Sequence, residues 1–430
     1  MERRRCPIED HRKKPTKPYR GMRIAAILLS IVLFFEALYC FLVFTQIPAI
    51  KNLREAYIST ALSTMTHAWL AEWFLPEYMV EEVRMKEEFA MQAQENLNSQ
   101  RPKPTEPVSP ENPTETTEPE PSESTTEPIE TVPGEDPAET AFYNLFWELN
   151  RSSFEQYLQE HPETLDNGWE NIYINEAGLN DNGTNIYTSM GEQVLALDAK
   201  NELLLVRVQG TGYLGVLAIG KDPAQLRCGA SNAIGKFGQS MGDLVKTNNG
   251  IIGITASGFD DPSGTGTGGT VSGYSMCEGV SYGEHSTLRG YKRIELTKDN
   301  KFYIIEATAP IADDVTDAVE FSPALIVDGK LSVGGLADWD GINPRACIGQ
   351  SARGEILMLV IEGRQIGRSI GTNVETCAKI LLQHDGYTAM NLDGGASAIM
   401  WYDGEYVTKC SNTAIQSRSL PNAWVYGNYE

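Results

Sequence analysis

Asn391-Leu392-Asp393-Gly394-Gly395-Ala396-Ser397 lies between two apolar runs, Thr388-Ala389-Met390 and Ala398-Ile399-Met400-Trp401. An acid followed by two glycines is poor material for a core. Glycine permits a tight turn and a close approach by a ligand. Successive bare N–H groups in such a turn form a concavity suited to an anion. A plain hairpin turn reads equally well from this stretch alone, because Asp-Gly is a common hairpin signal. Two further stretches weigh against the plain turn: Asn343-Pro344-Arg345 and Glu362-Gly363-Arg364 each set an Arg beside a strand-like run, at a turn.

Working outward, the C-terminal half alternates strand-like runs with turn signals. Gln193–Leu197 and Leu203–Val208 read as a hairpin, followed by strands at Gly215–Ile219 and Ile251–Thr255. Arg293–Leu296 and Phe302–Ile305 form a second hairpin. Leu325–Val327 runs into the Asp328-Gly329 turn, and Glu355–Ile361 is another apolar strand. Ser240–Asp243 has capping spacing before a short helix, and Thr372–Glu375 opens a helix that runs to about His384. Ala423–Tyr426 is a last strand. The fold class expected is α+β, mixed and strand-rich, over residues 190–430, with a helical preface at 138–189.

The N-terminal third differs. Residues 1–23 hold nine Lys or Arg against three acids, a basic tail; residues 24–46 are almost wholly apolar, long enough for a transmembrane helix. Glu36 interrupts this run and is either neutral, faces a partner helix or lies near a tilted end. The basic flank predicts a cytoplasmic N-terminus, a retained single-pass anchor in the cell membrane and an extracellular C-terminal domain. Residues 47–100 read as a membrane-proximal helical segment. Tyr57, Trp69, Trp73, Phe74 and Tyr78 fit either the lipid interface or a partner surface. Residues 101–137 carry ten prolines with Thr, Ser and Glu, a disordered, self-repelling linker expected to hold the C-terminal unit away from the membrane.

A formal net charge of -23 argues against nucleic acid as a partner. The seven cysteines include no Cys-x-x-Cys pair, which argues against a common zinc site, and buried free thiols are expected. Gly264-Thr265-Gly266-Thr267-Gly268-Gly269 matches a dinucleotide fingerprint in letters only, since no helical pattern follows it. His285 stands alone, with no Ser-His-Asp set.

Four stretches in order resemble the phosphodiester glycosidase family, the group that includes the mannose 6-phosphate uncovering enzyme. They are Ser322–Gly329, Asn343–Gly349, Ile361–Arg364 and Asn391–Ser397; Arg418 before Pro421-Asn422-Ala423 resembles the family's closing motif. The resemblance implies hydrolysis of a sugar-1-phosphodiester of the N-acetylglucosamine-1-phosphodiester type, in a cell-envelope or exopolysaccharide glycan. Arg suits the phosphodiester because its planar fork bonds two oxygens at once. A carboxylate would activate water or stabilise an oxocarbenium-like transition state. The catalytic candidates are therefore Asp393, Glu362, Arg345 and Arg364. The substrate-binding candidates are Asn391, Gly394, Gly395, Ser397, Arg418, Asn343, Ser257 and Asp260. Glu362 stands where family members more often carry Asp, and Thr255-Ala256-Ser257 lacks the family's usual Asn. No cofactor is required by the sequence; a divalent cation held by Asp260 and Asp261 stays open. The competing expectation is a non-catalytic glycan-binding or scaffold protein of surface polysaccharide assembly.

Overall fold

In the computed structural model the described residues are 19–64, 67–95, 97–101, 136–180, 182–264, 266–333 and 341–428. Most of the basic tail and nearly all of the Pro-rich linker lie outside them. The chain divides into two compact units, residues 1–55 and 56–430.

The first unit holds helix α1 (Tyr19–Phe44) and the first half of α2 (Pro48–Leu62). Gly21–Phe44 spans 24 residues, or about 36 Å of helix, enough to cross a bilayer. It is compatible with a single-pass anchor or a signal sequence. Arg54 Nη1 donates to the carbonyls of Leu42 and Val43, satisfying groups at the C-terminal end of α1.

The second unit is α+β and strand-rich. Its largest sheet has nine strands, all paired antiparallel. Their order is Tyr173–Asn175, Gln193–Asp198, Leu203–Gly210, Tyr213–Gly220, Ile356–Ile361, Arg345–Ser351, Gly386–Asn391, Ala324–Val327 and Lys330–Leu331. Leu203–Val206, Val216–Ile219 and Ile356–Ile361 are buried throughout, which fits a sheet covered on both faces. One face packs on α5 (Pro137–Leu145), α6 (Arg151–Glu160) and α8 (Val374–Gln383), through Phe142, Phe154 and Leu381 among others. The other face meets two five-stranded sheets, with Ile254, Ile294, Met358 and Trp424 in the shared core. One of these holds Lys292–Thr297 and Phe302–Glu306; the other holds Ile252–Thr255, Met400–Tyr402 and Asn422–Tyr426.

The expected hairpins form, and the caps follow side-chain chemistry with small shifts. Asp136 accepts from Ala138 N at 3.0 Å, with Pro137 in the first turn of α5. Glu139 does not close that cap; it pairs with Arg151 at 2.6 Å. Ser152 and Glu155 have capping-box spacing, but helix α6 is capped two residues earlier, by Asn150, which accepts from Ser153 N. The preface docks rather than links. Phe142 stacks on Phe154 with ring centroids 5.2 Å apart, and Trp147 Nε1 donates to Glu355 at 2.9 Å.

The membrane-proximal segment differs most from expectation. From Ala56 onward it belongs to the second unit and packs on it. In α4 (Glu77–Gln94), Ala90 enters the core and Gln94 is fully buried. Gln94 accepts from Ala324 N at 3.2 Å and donates to the Ser332 carbonyl at 3.0 Å. Ser99 exchanges two bonds with Ile304, of 2.7 and 2.9 Å. This stretch therefore completes the domain instead of standing off from it. Gln94→Ala is expected to cost about 1–3 kcal/mol, because it strands a buried donor at Ala324. Chemical denaturation in detergent checks this, and an unchanged midpoint would mean that the helix is only loosely laid on the sheet.

Five cysteines, Cys228, Cys277, Cys347, Cys377 and Cys410, are buried free thiols. Cys228 and Cys277 face each other at 3.2 Å between sulfurs. Burial pushes the Cys228, Cys347 and Cys410 thiols up.

Candidate functional site

At one end of the nine-stranded sheet, residues 343–345, 391–397 and 63–64, together with Arg364, Phe259, Asp261, Gly264, Phe321, Asn412 and Arg418, line a cavity of about 500 Å3. Strand register builds its centre. Cys347 pairs with Asn391, and Leu392 N donates to the Ala346 carbonyl at 2.8 Å. Counting on by one more antiparallel step sets Asp393 opposite Arg345. Asp393 thus leaves the sheet where Arg345 enters it, and both line the cavity.

The double glycine is needed sterically. Gly395 has φ +59°, and a Cβ there would also meet Arg364 Nη1 at 3.4 Å. A Cβ on Gly394 would lie 2.8 Å from the Pro344 carbonyl, to which Gly395 N donates at 3.2 Å. The turn therefore seats directly on the Asn343-Pro344 corner. Asn391 acts as a brace behind it, with Nδ2 donating to the Ser322 carbonyl at 2.8 Å.

The arginines are held individually. Arg345 is 3 % exposed and donates to the carbonyls of Thr372 at 3.1 Å and Gly341 at 2.7 Å. Arg364 has φ +58°, a left-handed conformation that costs energy for a side chain with a Cβ, and Nη2 donates to Asn343 Oδ1 at 2.9 Å. Arg418 pairs with Asp261 at 2.7 Å and lies over the Phe259 ring at 4.7 Å. That bond holds the Asp261 carboxyl below its usual range and raises Arg418. Burial pushes the Asp393 carboxyl up to about 6, against the opposing pull of Ser397 and Arg418.

Of the residues singled out in the sequence, Asp393, Arg345, Arg364, Arg418, Asn343, Asn391, Gly394, Gly395 and Ser397 all line this cavity. Glu362, Ser257 and Asp260 do not. Glu362 lies one residue beyond Ile361, the partner of Arg345, so strand alternation turns it to the other side. There it is buried against Arg368, with bonds of 2.5 and 2.8 Å, and accepts from Lys409 N. Ser257 is spent on the last strand: its N and Oγ both donate to Asn422 Oδ1. Asp261, not Asp260, reaches the cavity. The adjacent pair was visible in the sequence, but spacing does not choose between neighbours. Among the described residues no group of three His, Cys, Asp or Glu side chains is placed to hold a metal ion.

Ser63, Thr64, Phe321 and Asn412 also line the cavity and had no sequence signal. Ser63 lies 280 residues before Asn343, the residue to which it bonds.

Comparison with known proteins bears on the same stretch. Residues 248–426 match the family model described as phosphodiester glycosidase. The SPbeta prophage-derived protein YomE of Bacillus subtilis (strain 168) is 24 % identical over 202 residues, 44 % of this chain and 29 % of that protein. The chain therefore spans under a third of that relative's length. Among solved structures, the catalytic domain of zebrafish N-acetylglucosamine-1-phosphodiester alpha-N-acetylglucosaminidase, auto-inhibited by its pro-peptide, is similar with a TM-score of 0.43 and 15 % identity. It covers 52 % of this chain and 82 % of its own. A hypothetical protein from Synechocystis is similar with a TM-score of 0.37 and 12 % identity, over 54 % and 63 % of the two chains. Every residue lining the cavity falls within 248–426 except Ser63 and Thr64. Apart from that one short N-terminal turn, the cavity is thus lined by the stretch that matches the phosphodiester glycosidase model.

Proposed function

We propose that this chain is a hydrolase that releases a sugar from a sugar-1-phosphodiester. The observation that carries the reading is the placement of one carboxyl, Asp393, in a single cavity with Arg345, Arg364 and Arg418. In the reaction, water oxygen bonds to the anomeric carbon and the bond from that carbon to the phosphate oxygen breaks. The electron pair leaves with the phosphate, giving a monoester on the partner. Asp393 takes the proton from water and later releases it to solvent. The arginines bind the diester and stabilise the charge that grows on the leaving phosphate, where preorganised donors are worth most. The backbone N–H groups of the Gly394–Gly395 turn are further donors.

The substrate proposed is an N-acetylglucosamine-1-phosphodiester in an envelope or exopolysaccharide glycan, reached by a domain outside the cell. The span Gly21–Phe44 is the anchor in this reading, with the basic N-terminus inside.

The test uses the full chain in detergent micelles and the methyl diester of N-acetylglucosamine 1-phosphate. Release of N-acetylglucosamine together with methyl phosphate is expected. Arg345→Ala is expected to lower kcat/KM by about 10²–10³-fold while thermal unfolding stays cooperative. Binding of the diester with no turnover would replace the enzyme by a glycan-phosphate-binding protein.

A further inference from the structure

The turn that closes α2 touches the loop that holds two of the three arginines. Thr60 Oγ1 accepts from Ile342 N at 2.8 Å and donates to the Ala56 carbonyl at 2.6 Å. Gly341, at φ +60°, is so close that a Cβ on it would lie 2.4–2.5 Å from the N, Cα and Oγ1 atoms of Thr60. Ser63 Oγ accepts from Asn343 Nδ2 at 2.9 Å and donates to the Thr60 carbonyl at 3.1 Å. The two residues pinned in this way, Gly341 and Asn343, each bond a guanidinium group of the site. The Gly341 carbonyl accepts from Arg345, and Asn343 Oδ1 accepts from Arg364. Two short relays therefore run from α2, one through Gly341 to Arg345 and one through Asn343 to Arg364.

We infer that the end of α2 is a built-in part of the site: Thr60 and Ser63 are positioning residues for the two arginines, and Thr64 forms a wall of the ligand cavity. The inference rests on the sugar-phosphodiester reading above and adds to it a part that lies outside the matched domain. The physical reason is preorganisation. A guanidinium on three methylenes has many rotamers, and fixing its nitrogens before the anion arrives removes that cost from binding. Ser63 supplies an acceptor for the Asn343 amide nitrogen, and that bond favours the orientation in which the amide oxygen meets Arg364. Ser63 is exposed, so its side chain serves no core packing, and its exchange leaves the fold intact.

The test is calorimetric titration of the full chain in detergent micelles with N-acetylglucosamine 1-phosphate. Ser63→Ala is expected to raise Kd about five- to tenfold, the effect of one lost hydrogen bond to the group that holds a charge. Ser63→Thr keeps the hydroxyl and is expected to recover most of that loss. In an Arg364→Ala background, Ser63→Ala is expected to add nothing, because the relay then has no end. A fully additive double variant, or Ser63→Ala binding like wild type, would overturn the inference and leave the function standing. Faster turnover of the methyl diester in Ser63→Ala would also overturn it, and would assign the turn a blocking role. If wild type neither binds nor cleaves, the proposed function falls, and the inference with it.

Discussion

Asp393→Asn is expected to lower kcat/KM for the methyl diester by about 10²–10⁴-fold, the range lost when a positioned general base is removed. The amide keeps the shape and one acceptor oxygen but cannot take a proton from water. In the wild type, kcat/KM is expected to fall as pH drops below about 6, where burial has placed the Asp393 carboxyl. A general acid would give the opposite limb, with activity lost above about 6. Stability should move against activity. The unfolded carboxyl has its ordinary value of 3.8, so between there and about 6 the native state holds the proton more tightly. Wild type therefore loses stability as pH rises through that window, and above it carries the full cost of a charged, buried carboxylate. The Asn variant carries none of it. Thermal unfolding should show the variant above wild type at pH 7 and level with it near pH 4. A flat pH–rate profile in wild type would remove Asp393 from the proton-transfer step.

Lys221→Ala should be the most damaging single change to stability. Lys221 Nζ bonds Glu148 at 2.5 Å and Glu355 at 2.8 Å, and the three side chains are 2, 1 and 8 % exposed. Burial pushes Glu148 up despite the Lys221 charge. For Glu355 burial acts the same way, but Lys221, Trp147 and Ser351 together outweigh it and hold that carboxyl down. Removing the cation leaves two carboxylates buried face to face, at an expected cost of about 3–5 kcal/mol in urea unfolding. Lys221→Met combined with Glu148→Gln and Glu355→Gln should recover most of it, because the loss comes from unpaired charge and not from the absence of the bridge. A loss below about 1 kcal/mol in the single variant would mean that water reaches the carboxylates. Glu148 comes from the helical preface and Glu355 from the start of a central strand, so this pair of bonds adds a polar link to the apolar packing between them.

The sequence showed the hairpins because their chemistry is local. Gln193–Leu197 and Leu203–Val208 are largely apolar runs with a short polar turn between them. Val315–Phe321 escaped notice because it carries Asp317 and Glu320, which look wrong for a buried strand. Both are satisfied by backbone donors from elsewhere: Asp317 accepts from Cys228 N and Glu278 N, and Glu320 from Tyr274 N and Ser286 N. Partners 34 to 89 residues away leave no trace in a local pattern. The same holds at the site. Asp393, Arg345 and Arg364 each sit in a turn beside a strand and could be picked out one at a time. Glu362 shares that local pattern, but Arg368, six residues on, claims it. Ser63 and Thr64 have ordinary helix-end chemistry, and only the folded chain brings them to the arginines.

The five buried sulfurs give the molecule a built-in alarm. A maleimide dissolved in water meets none of Cys228, Cys277, Cys347, Cys377 and Cys410 while the domain is closed. Thiolate is the reactive species, and burial suppresses it further at Cys228, Cys347 and Cys410. An adduct at any of these five therefore records an opening, unlike one at the exposed Cys40, and the position of the labelled cysteine records where. Cys410, near the cavity, and Cys377, on α8 behind the great sheet, would separate a breath at the site from the loss of the whole fold.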